Sequence, residues 1–505
     1  MNKFNYFKFP NSIDMTIAKL RTKDPGYWER KGEERIIKFA NYVTGNVPAY
    51  RDFLSDKNIK IKKIDNINYF KKLPLTGKNL YLKKYEYIDL FAKGGLDEIT
   101  TISSTSGSTG DPFYFPRGEE QDSQYEFIAE VFLKNQFELD KKRTLAINGF
   151  GLGIWIGGIF TYKNLNKIAS KGYRLAVAPV GTNKDIFLKT FKKNDGLFEQ
   201  FIVMGYPPFI KDIADEAKDY GINWKKYDIK ILTATEGFTE KFREYLIEKF
   251  GIKNRYSDII NIYGSVELGT MSHETPIANL IRKIAVDNPN VFKKIFPNAH
   301  EVPTLAQFYP DIVYFEEVDG EVVASGYGSS FPLLRYRFFD RGGVIPFNVM
   351  LQKLKDLKVD LFKEAKKEKI DHMIFKLPFV YVSGRSDFVI ILRGANIYPG
   401  NVKDAMQDKS IGNYVTGKFC ILKKENKKLE EYLEINVELK KKIKKLMHIK
   451  TKIERVILDT LRKKNSEFNY LYTTEGKKLT PKVVLYTYDH AKYFSPGIKQ
   501  TWMKK

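Results

Sequence analysis

Between residues 99 and 263 the chain alternates short apolar runs with amphipathic stretches, and this alternation limits the possible folds more than any other feature. The apolar runs at 99–102, 144–147, 173–179, 201–205, 230–235 and 259–263 are strand-length and bounded by turn residues. Helices are expected between them, over 121–137, after the glycines of 149–158 and over 240–250. Residues 121–137 carry Phe127, Ile128, Val131 and Phe132 on one face. Strand–helix alternation of this length predicts parallel sheets with helices on their faces.

The flanks read differently. Residues up to about 78 look helical, with a break at Val47-Pro48, because proline disfavours helix in the residue before it. After residue 263 come a helical excursion at 279–296, a hairpin closed by Asp319-Gly320, a strand at 332–339 and a strand pair within 381–393. Beyond Pro399 the composition shifts to short strands at 419–422, 432–437 and 483–486 around a long basic helix. The apolar face of that helix is Ile443, Met447, Ile449, Ile453, Val456, Ile457 and Leu461. The fold class expected is α/β: a large N-terminal domain of mixed and parallel sheets flanked by helices, with a small mobile α+β C-terminal domain. The boundaries are 1–383, with 1–98 a mainly helical lead-in, and 384–505, with a hinge near Asp387. Gly384 and Gly394, bracketing an apolar strand, suit a swivel there.

Composition removes several classes. The single cysteine, Cys420, excludes a disulfide framework or a multi-cysteine metal cluster and suits a reducing cytoplasm. The opening residues lack the apolar core of a signal peptide. The most apolar stretch, 149–160, is about half the length of a membrane-spanning helix. The net charge of +24 comes from lysines spread along the whole chain, so it reads as a compositional bias and solvated helix faces rather than a nucleic-acid site. The five histidines, His273, His300, His372, His448 and His490, show no metal-ligand spacing; His273 follows Glu267 closely enough to reach a site there or to serve the core.

Four segments carry chemistry. In 101–116, TISSTSGSTGDPFYFP, the hydroxyls and glycines of 103–110 can converge backbone N–H groups on an oxyanion, or form a flexible turn. No Lys-Ser/Thr follows Gly110, so this is not a Walker loop. In 261–269, NIYGSVELG, Tyr263 ends a strand where open α/β sheets place ligands, and Glu267 follows as a candidate carboxylate for a divalent ion. In 334–342, LRYRFFDRG, Asp340 can accept ribose hydroxyls or pair with Arg335, Arg337 or Arg341. In 383–399, SGRSDFVIILRGANIYP, Arg385 and Asp387 lie where the composition changes.

In this order and spacing the segments resemble the adenylate-forming superfamily of acyl-CoA synthetases, luciferases and peptide-synthetase adenylation domains. The nearer resemblance is to its phenylacetate–coenzyme A ligase branch and to capsular-polysaccharide-type adenylyltransferase-like proteins. Val47-Pro-Ala-Tyr50, Leu73-Pro-Leu-Thr-Gly-Lys78, Leu232-Thr-Ala-Thr-Glu236-Gly237 and Phe331-Pro-Leu-Leu-Arg-Tyr336 extend it over nearly the whole chain. It implies ATP-dependent activation of a carboxylic acid as an acyl-adenylate, then transfer to coenzyme A. A carrier-protein or amine acceptor, or an inactive ATP-binding member of the fold, is the alternative. ATP, magnesium and coenzyme A are the implied cofactors. Ser106, Gly107, Ser108, Thr109 and Gly110 would wrap the β- and γ-phosphates, and Glu236 and Gly237 would border an adenine stacked on Tyr263. Glu267 would bind magnesium, Asp340 the ribose, Arg385 ribose or phosphate, and Asp387 would be the hinge. Residues 150–155 and 203–207 lie where the family places the acyl group.

The chain departs from that pattern in two places. Phe113 and Tyr114 follow Pro112 where many members carry a lysine, so the nearest cation is Arg117. The catalytic lysine is assigned to Lys499, with Lys477, Lys478 and Lys482 in competition.

Overall fold

The structure is a computed structural model describing residues 10–494, apart from 61, 105–111, 155, 298, 300, 328–329, 386–388, 407, 409, 442, 444–446, 489 and 491–492. The phosphate-loop residues Ser106 to Gly110, the hinge residue Asp387 and the lysine Lys499 therefore lie outside the described residues. The strands are β1 Ile99–Ser104, β2 Tyr114–Gly118, β3 Thr144–Asn148, β4 Leu175–Pro179, β5 Gln200–Gly205, β6 Ile229–Thr233, β7 Ile259–Ser265, β8 Gly269–His273 and β9 Thr304–Gln307. They continue with β10 Val313–Val318, β11 Glu321–Gly326, β12 Leu333–Ile345, β13 Phe379–Arg385, β14 Ile390–Leu392, β15 Ala395–Ile397, β16 Val415–Glu425, β17 Glu431–Leu439 and β18 Lys482–Tyr486. The chain forms two compact units, Met1–Ser103 with Tyr114–Ser386, and Ser104–Phe113 with Asp387–Lys505.

In the first unit one 11-stranded sheet runs β10-β11-β12-β13-β9-β8-β7-β6-β5-β3-β4. From β4 to β7 every pairing is parallel, and from β7 to β10 every pairing is antiparallel. The change falls at β7, where a tight turn folds the chain straight back as β8 instead of sending it through a crossover helix. The parallel strands all end at one edge of the sheet, which carries the loops after β3, β5, β6 and β7.

Local chemistry accounts for the helices. Asp24 caps Pro25–Asn46, which stops at Val47 before Pro48; a new helix, Pro48–Asp56, starts there with proline at its first turn. Glu119–Phe137 is buried on nearly every side rather than on the one face its apolar residues suggested. Its Glu126 and Glu130 are tolerated inside because Lys171 reaches both at 2.6 Å. The helical excursion is two helices, Pro276–Asp287 and Pro289–Ile295, and the Asp319-Gly320 turn has φ of 53° and 75°, as its hairpin requires.

Both strands expected within 381–393 are present, but they belong to different sheets. β13 joins the large sheet between β12 and β9, whereas β14 turns through Arg393 and Gly394 (φ 50° and 86°) onto β15. That turn commits β14 to β15, so it is not a partner for β13.

The second unit holds a three-stranded sheet, with β17 antiparallel to β16 and parallel to β18. Helix Met447–Lys464 buries Ile449, Ile453, Ile457 and Leu461. Met447, expected on that face, is 75% exposed at the helix start, and Ile443 precedes the helix. The RGANIYPGN segment forms the turn and second strand of the β14–β15 hairpin and the start of helix Pro399–Met406. Arg393 is buried against Glu475 at 2.7 Å. No helix among the described residues is long and apolar enough to cross a membrane.

Candidate active site

Three residues distant in sequence meet at the carboxyl edge of the first unit's sheet. The Tyr263 hydroxyl, at the end of β7, donates to Asp340 Oδ2 at 2.6 Å. Arg385 Nη1 lies 3.5 Å from Asp340 Oδ1, and its Nη2 donates to the Phe338 carbonyl at 2.9 Å. Register explains the pairing, since Asp340 of β12 stands directly opposite Arg385 of β13. Two of the three neighbouring arginines that competed for Asp340 pair elsewhere: Arg335 with Glu316 at 3.1 Å, and Arg337 with Glu321. Burial, then the charge and hydrogen bond of Asp340, push the Tyr263 hydroxyl well above its usual range, so it remains a donor. Its ring stacks on Phe315, centroids 6.2 Å apart.

Glu267 lies in the turn from β7 to β8. A Cβ at Gly264 would come within 2.6 Å of the Gly269 carbonyl, so only glycine lets the chain turn this closely. The Tyr336 hydroxyl donates to Glu267 Oε1 at 3.2 Å. Beside it, Arg117 Nη2 donates to the Val266 carbonyl. Arg117 is 1% exposed, and its Nε and Nη1 have no hydrogen-bond partner among the described residues. Burial lowers its guanidinium to about 10, against the opposing pull of Asp122 and Glu267.

Glu267 supplies one hard oxygen donor group, and no cluster of three or more His, Cys, Asp or Glu residues that could hold a metal ion occurs among the described residues. A single carboxylate suits magnesium, which keeps most of its water and takes further oxygens from substrate phosphates.

The loop after β6 places Glu236 and Gly237 at the same edge. Thr235 has a φ of 80°, rare for a β-branched residue. The Glu236 carbonyl accepts from Asn261 Nδ2 at 3.2 Å, and a Cβ on Gly237 would lie 2.5 Å from the Thr304 hydroxyl. The loops after β3 and β5 are adjacent because those strands pair. Phe150 and Tyr206 are buried there, and Phe209 packs where a Cβ on Gly149 or Gly205 would stand.

His273 is fully buried and serves the core. Its Nδ1 donates to the Glu274 carbonyl at 2.8 Å, and its Nε2 accepts from the Tyr309 hydroxyl at 3.0 Å. Burial lowers its pKa to about 4, so the ring is neutral near pH 7. In the second unit, Lys482 begins β18 with its ammonium 5.6 Å from the Tyr432 ring.

Four neighbours of the site were not singled out by sequence reasoning: Tyr336, Asn261 and the buried arginine pair Arg243 and Arg282. Arg243 had a visible signal. It falls at the helical spacing of Leu246 and Phe250, on the apolar side of its helix.

The mixed sheet has the fold of an acyl-CoA ligase, as comparison with solved structures shows. No family model matches the chain. It is 22% identical over 387 residues to the phenylacetate–coenzyme A ligase of Pseudomonas putida, spanning 74% of this chain and 73% of the relative. It is also 22% identical over 386 residues to that of Aromatoleum evansii, with the same coverage of 74% and 73%. Among solved structures, 2-hydroxyisobutyryl-CoA ligase in complex with 2-HIB-AMP and CoA matches with a TM-score of 0.62, covering 100% of this chain and 94% of that one at 15% identity. The chain is thus similar in sequence to phenylacetate–coenzyme A ligases and similar in fold to an acyl-CoA ligase.

Proposed function

We propose that this protein is an AMP-forming acid–thiol ligase, which activates a carboxylic acid with ATP as an acyl-adenylate and transfers the acyl group to coenzyme A. The observation that carries the reading is the Tyr263–Asp340–Arg385 cluster beside the 235–237 loop, in a chain similar over three quarters of its length to phenylacetate–coenzyme A ligases.

In this reading Asp340 accepts the ribose hydroxyls while Tyr263 and Arg385 hold its carboxylate in place. Glu236 and Gly237 border the adenine, and Tyr263 offers its ring to the base. Ser106 to Gly110 receive the β- and γ-phosphates. Glu267 holds magnesium, whose charge offsets the repulsion between a carboxylate and a triphosphate. Two anions must meet in the first half-reaction, so fixed donors at the α-phosphate contribute most of the remaining stabilisation. Lys499 is assigned that role, and Asp387 the hinge that brings the small domain (384–505) to each half-reaction. The residues around Phe150 and Tyr206 form the apolar side of the acid slot. The protein works in the cytoplasm.

Acid-dependent exchange of labelled pyrophosphate into ATP, run over aromatic, aliphatic and amino acids, tests activation and substrate together. Exchange with at least one acid, followed by AMP release that requires coenzyme A, is expected. Silence across the panel would refute the enzymatic reading, and AMP release indifferent to coenzyme A would move the acceptor to a carrier protein or an amine.

A further inference from the structure

Behind the 235–238 loop lie four buried charged side chains that no step above uses. Arg243, Arg282 and Glu274 are at most 1% exposed, and Glu240 is 7% exposed. Arg243 Nη2 donates to both oxygens of Glu274 at 2.8 Å, and its Nε donates to Glu240 at 3.1 Å. Arg282 bonds Glu274 through Nη1 and lies 3.4 Å from Glu240 through Nε. Two positive and two negative groups cancel inside the protein.

Stability alone does not explain such a set, because well-packed apolar residues of similar volume usually stabilise a core as well or better. The cluster does something that apolar residues cannot: it holds backbone. Arg282 Nη2 donates to the Phe238 carbonyl at 2.7 Å, and Arg243 Nη1 donates to the Ile259 carbonyl at 3.2 Å. Glu274 Oε2 accepts from the Asn261 amide at 3.0 Å. The side chain of Asn261 in turn holds the Glu236 carbonyl at 3.2 Å and accepts from the Thr233 hydroxyl at 2.9 Å.

The carbonyls on both sides of Gly237 are thus fixed, one by Arg282 directly and one through Asn261. The Phe238 ring faces both guanidinium groups, 5.0 Å from Arg243 and 5.8 Å from Arg282. Next to this clamp stands Thr235 at φ 80°. A β-branched residue persists in that conformation only where its surroundings over-determine it.

We propose that the Arg243–Arg282–Glu240–Glu274 cluster is the positioning device of the nucleotide site, holding the Glu236-Gly237 edge in the geometry that receives the adenine. The inference rests on the ATP reading above. The four residues act through the loop and touch no substrate. Arginine suits the task because its planar fork can bond a carboxylate and a carbonyl at once, which a lysine cannot do with the same geometry.

The test is ATP affinity measured by calorimetry in the absence of acid, beside steady-state kinetics and thermal melting. In Arg282→Lys the charge beside Glu274 and Glu240 remains, but the hold on the Phe238 carbonyl is lost. ATP affinity should weaken roughly tenfold, with the KM for the acid moved by less than about twofold, since a loosened loop misplaces one substrate only. The double variant Arg282→Met with Glu240→Gln removes one charge of each sign and leaves the Arg243–Glu274 pair intact, so it tests the same clamp in a core that stays neutral. The same selective loss is expected. A lowered melting temperature with unchanged ATP affinity in either folded variant would make the cluster merely structural and overturn the proposal. Wild-type protein that binds no ATP would instead defeat the nucleotide reading itself, which separates the two failures.

Discussion

The first unit buries arginine in two opposite ways. Arg243 and Arg282 sit among carboxylates, and the charges of Glu274 and Glu240 outweigh burial to lift the Arg243 guanidinium above its ordinary range. Arg117 is equally enclosed, yet it bonds one carbonyl, and burial drives it down to about 10. Arg243 bonds through all three of its nitrogens and Arg282 through two, and the pair works as scaffold. Arg117 is an undersupplied cation beside Glu267, at the place where substrate phosphates are proposed to arrive. Burial alone does not separate the roles; the count of satisfied donors does.

Glu274→Gln should give the largest effect on this contrast. It leaves two buried arginines facing Glu240 alone, and urea unfolding should show a loss of about 3–5 kcal/mol. A loss below about 1 kcal/mol would mean the cluster is no more integrated than Arg117.

His273, adjacent to Glu274, follows by the same logic of enforced neutrality. Its pKa falls from 6.5 to about 4 on folding. Between those values the unfolded chain takes up a proton that the folded protein refuses, so stability declines as the pH falls from 6.5 towards 4. At 1.36 kcal/mol per pKa unit the contribution lost is about 3 kcal/mol. His273→Gln should remove that share of the slope in urea titrations across the same window. An unchanged slope would show that other groups carry it.

Glu267→Gln tests the ligand side of the comparison. Pyrophosphate exchange should drop about a hundredfold, the scale of losing one preorganised electrostatic group, with little change in melting temperature. The smallest stability effect belongs to Arg117→Met. Removing a buried cation with two unpartnered nitrogens should shift unfolding by no more than about 1 kcal/mol, while exchange falls because the Val266 carbonyl beside Glu267 loses its donor. A destabilisation matching that of Glu274→Gln would erase the distinction between the two kinds of site.

Much of the architecture was legible because it depends on local periodicity. The strands from β3 to β7 and the helix Glu240–Phe250 announced themselves as apolar runs and helical spacing, and the Asp319-Gly320 hairpin through its turn chemistry. Helix Glu119–Phe137 was legible as a helix but not as a nearly enclosed one, since its buried glutamates depend on Lys171, distant in sequence. The separation of β13 from β14 was hidden for a related reason: two apolar runs beside a glycine look alike whether they pair with each other or with different sheets.

The candidate site divides along the same line. Tyr263 and Glu267 could be named from one short segment, because a strand end followed by a turn is a local pattern. The partner of Asp340 could not. Three arginines lie within five residues of it in sequence, and the register of β12 against β13 selects Arg385 instead. By itself, then, the sequence determined which segments become strands and helices and which polar residues stand at their ends, since backbone geometry and side-chain period are properties of neighbours. Only the tertiary structure decided which charges meet, because pairing depends on strand register and on burial that raises the cost of every unmet group. Arg282, one more charge on an amphipathic helix when read alone, becomes the residue that holds the Phe238 carbonyl.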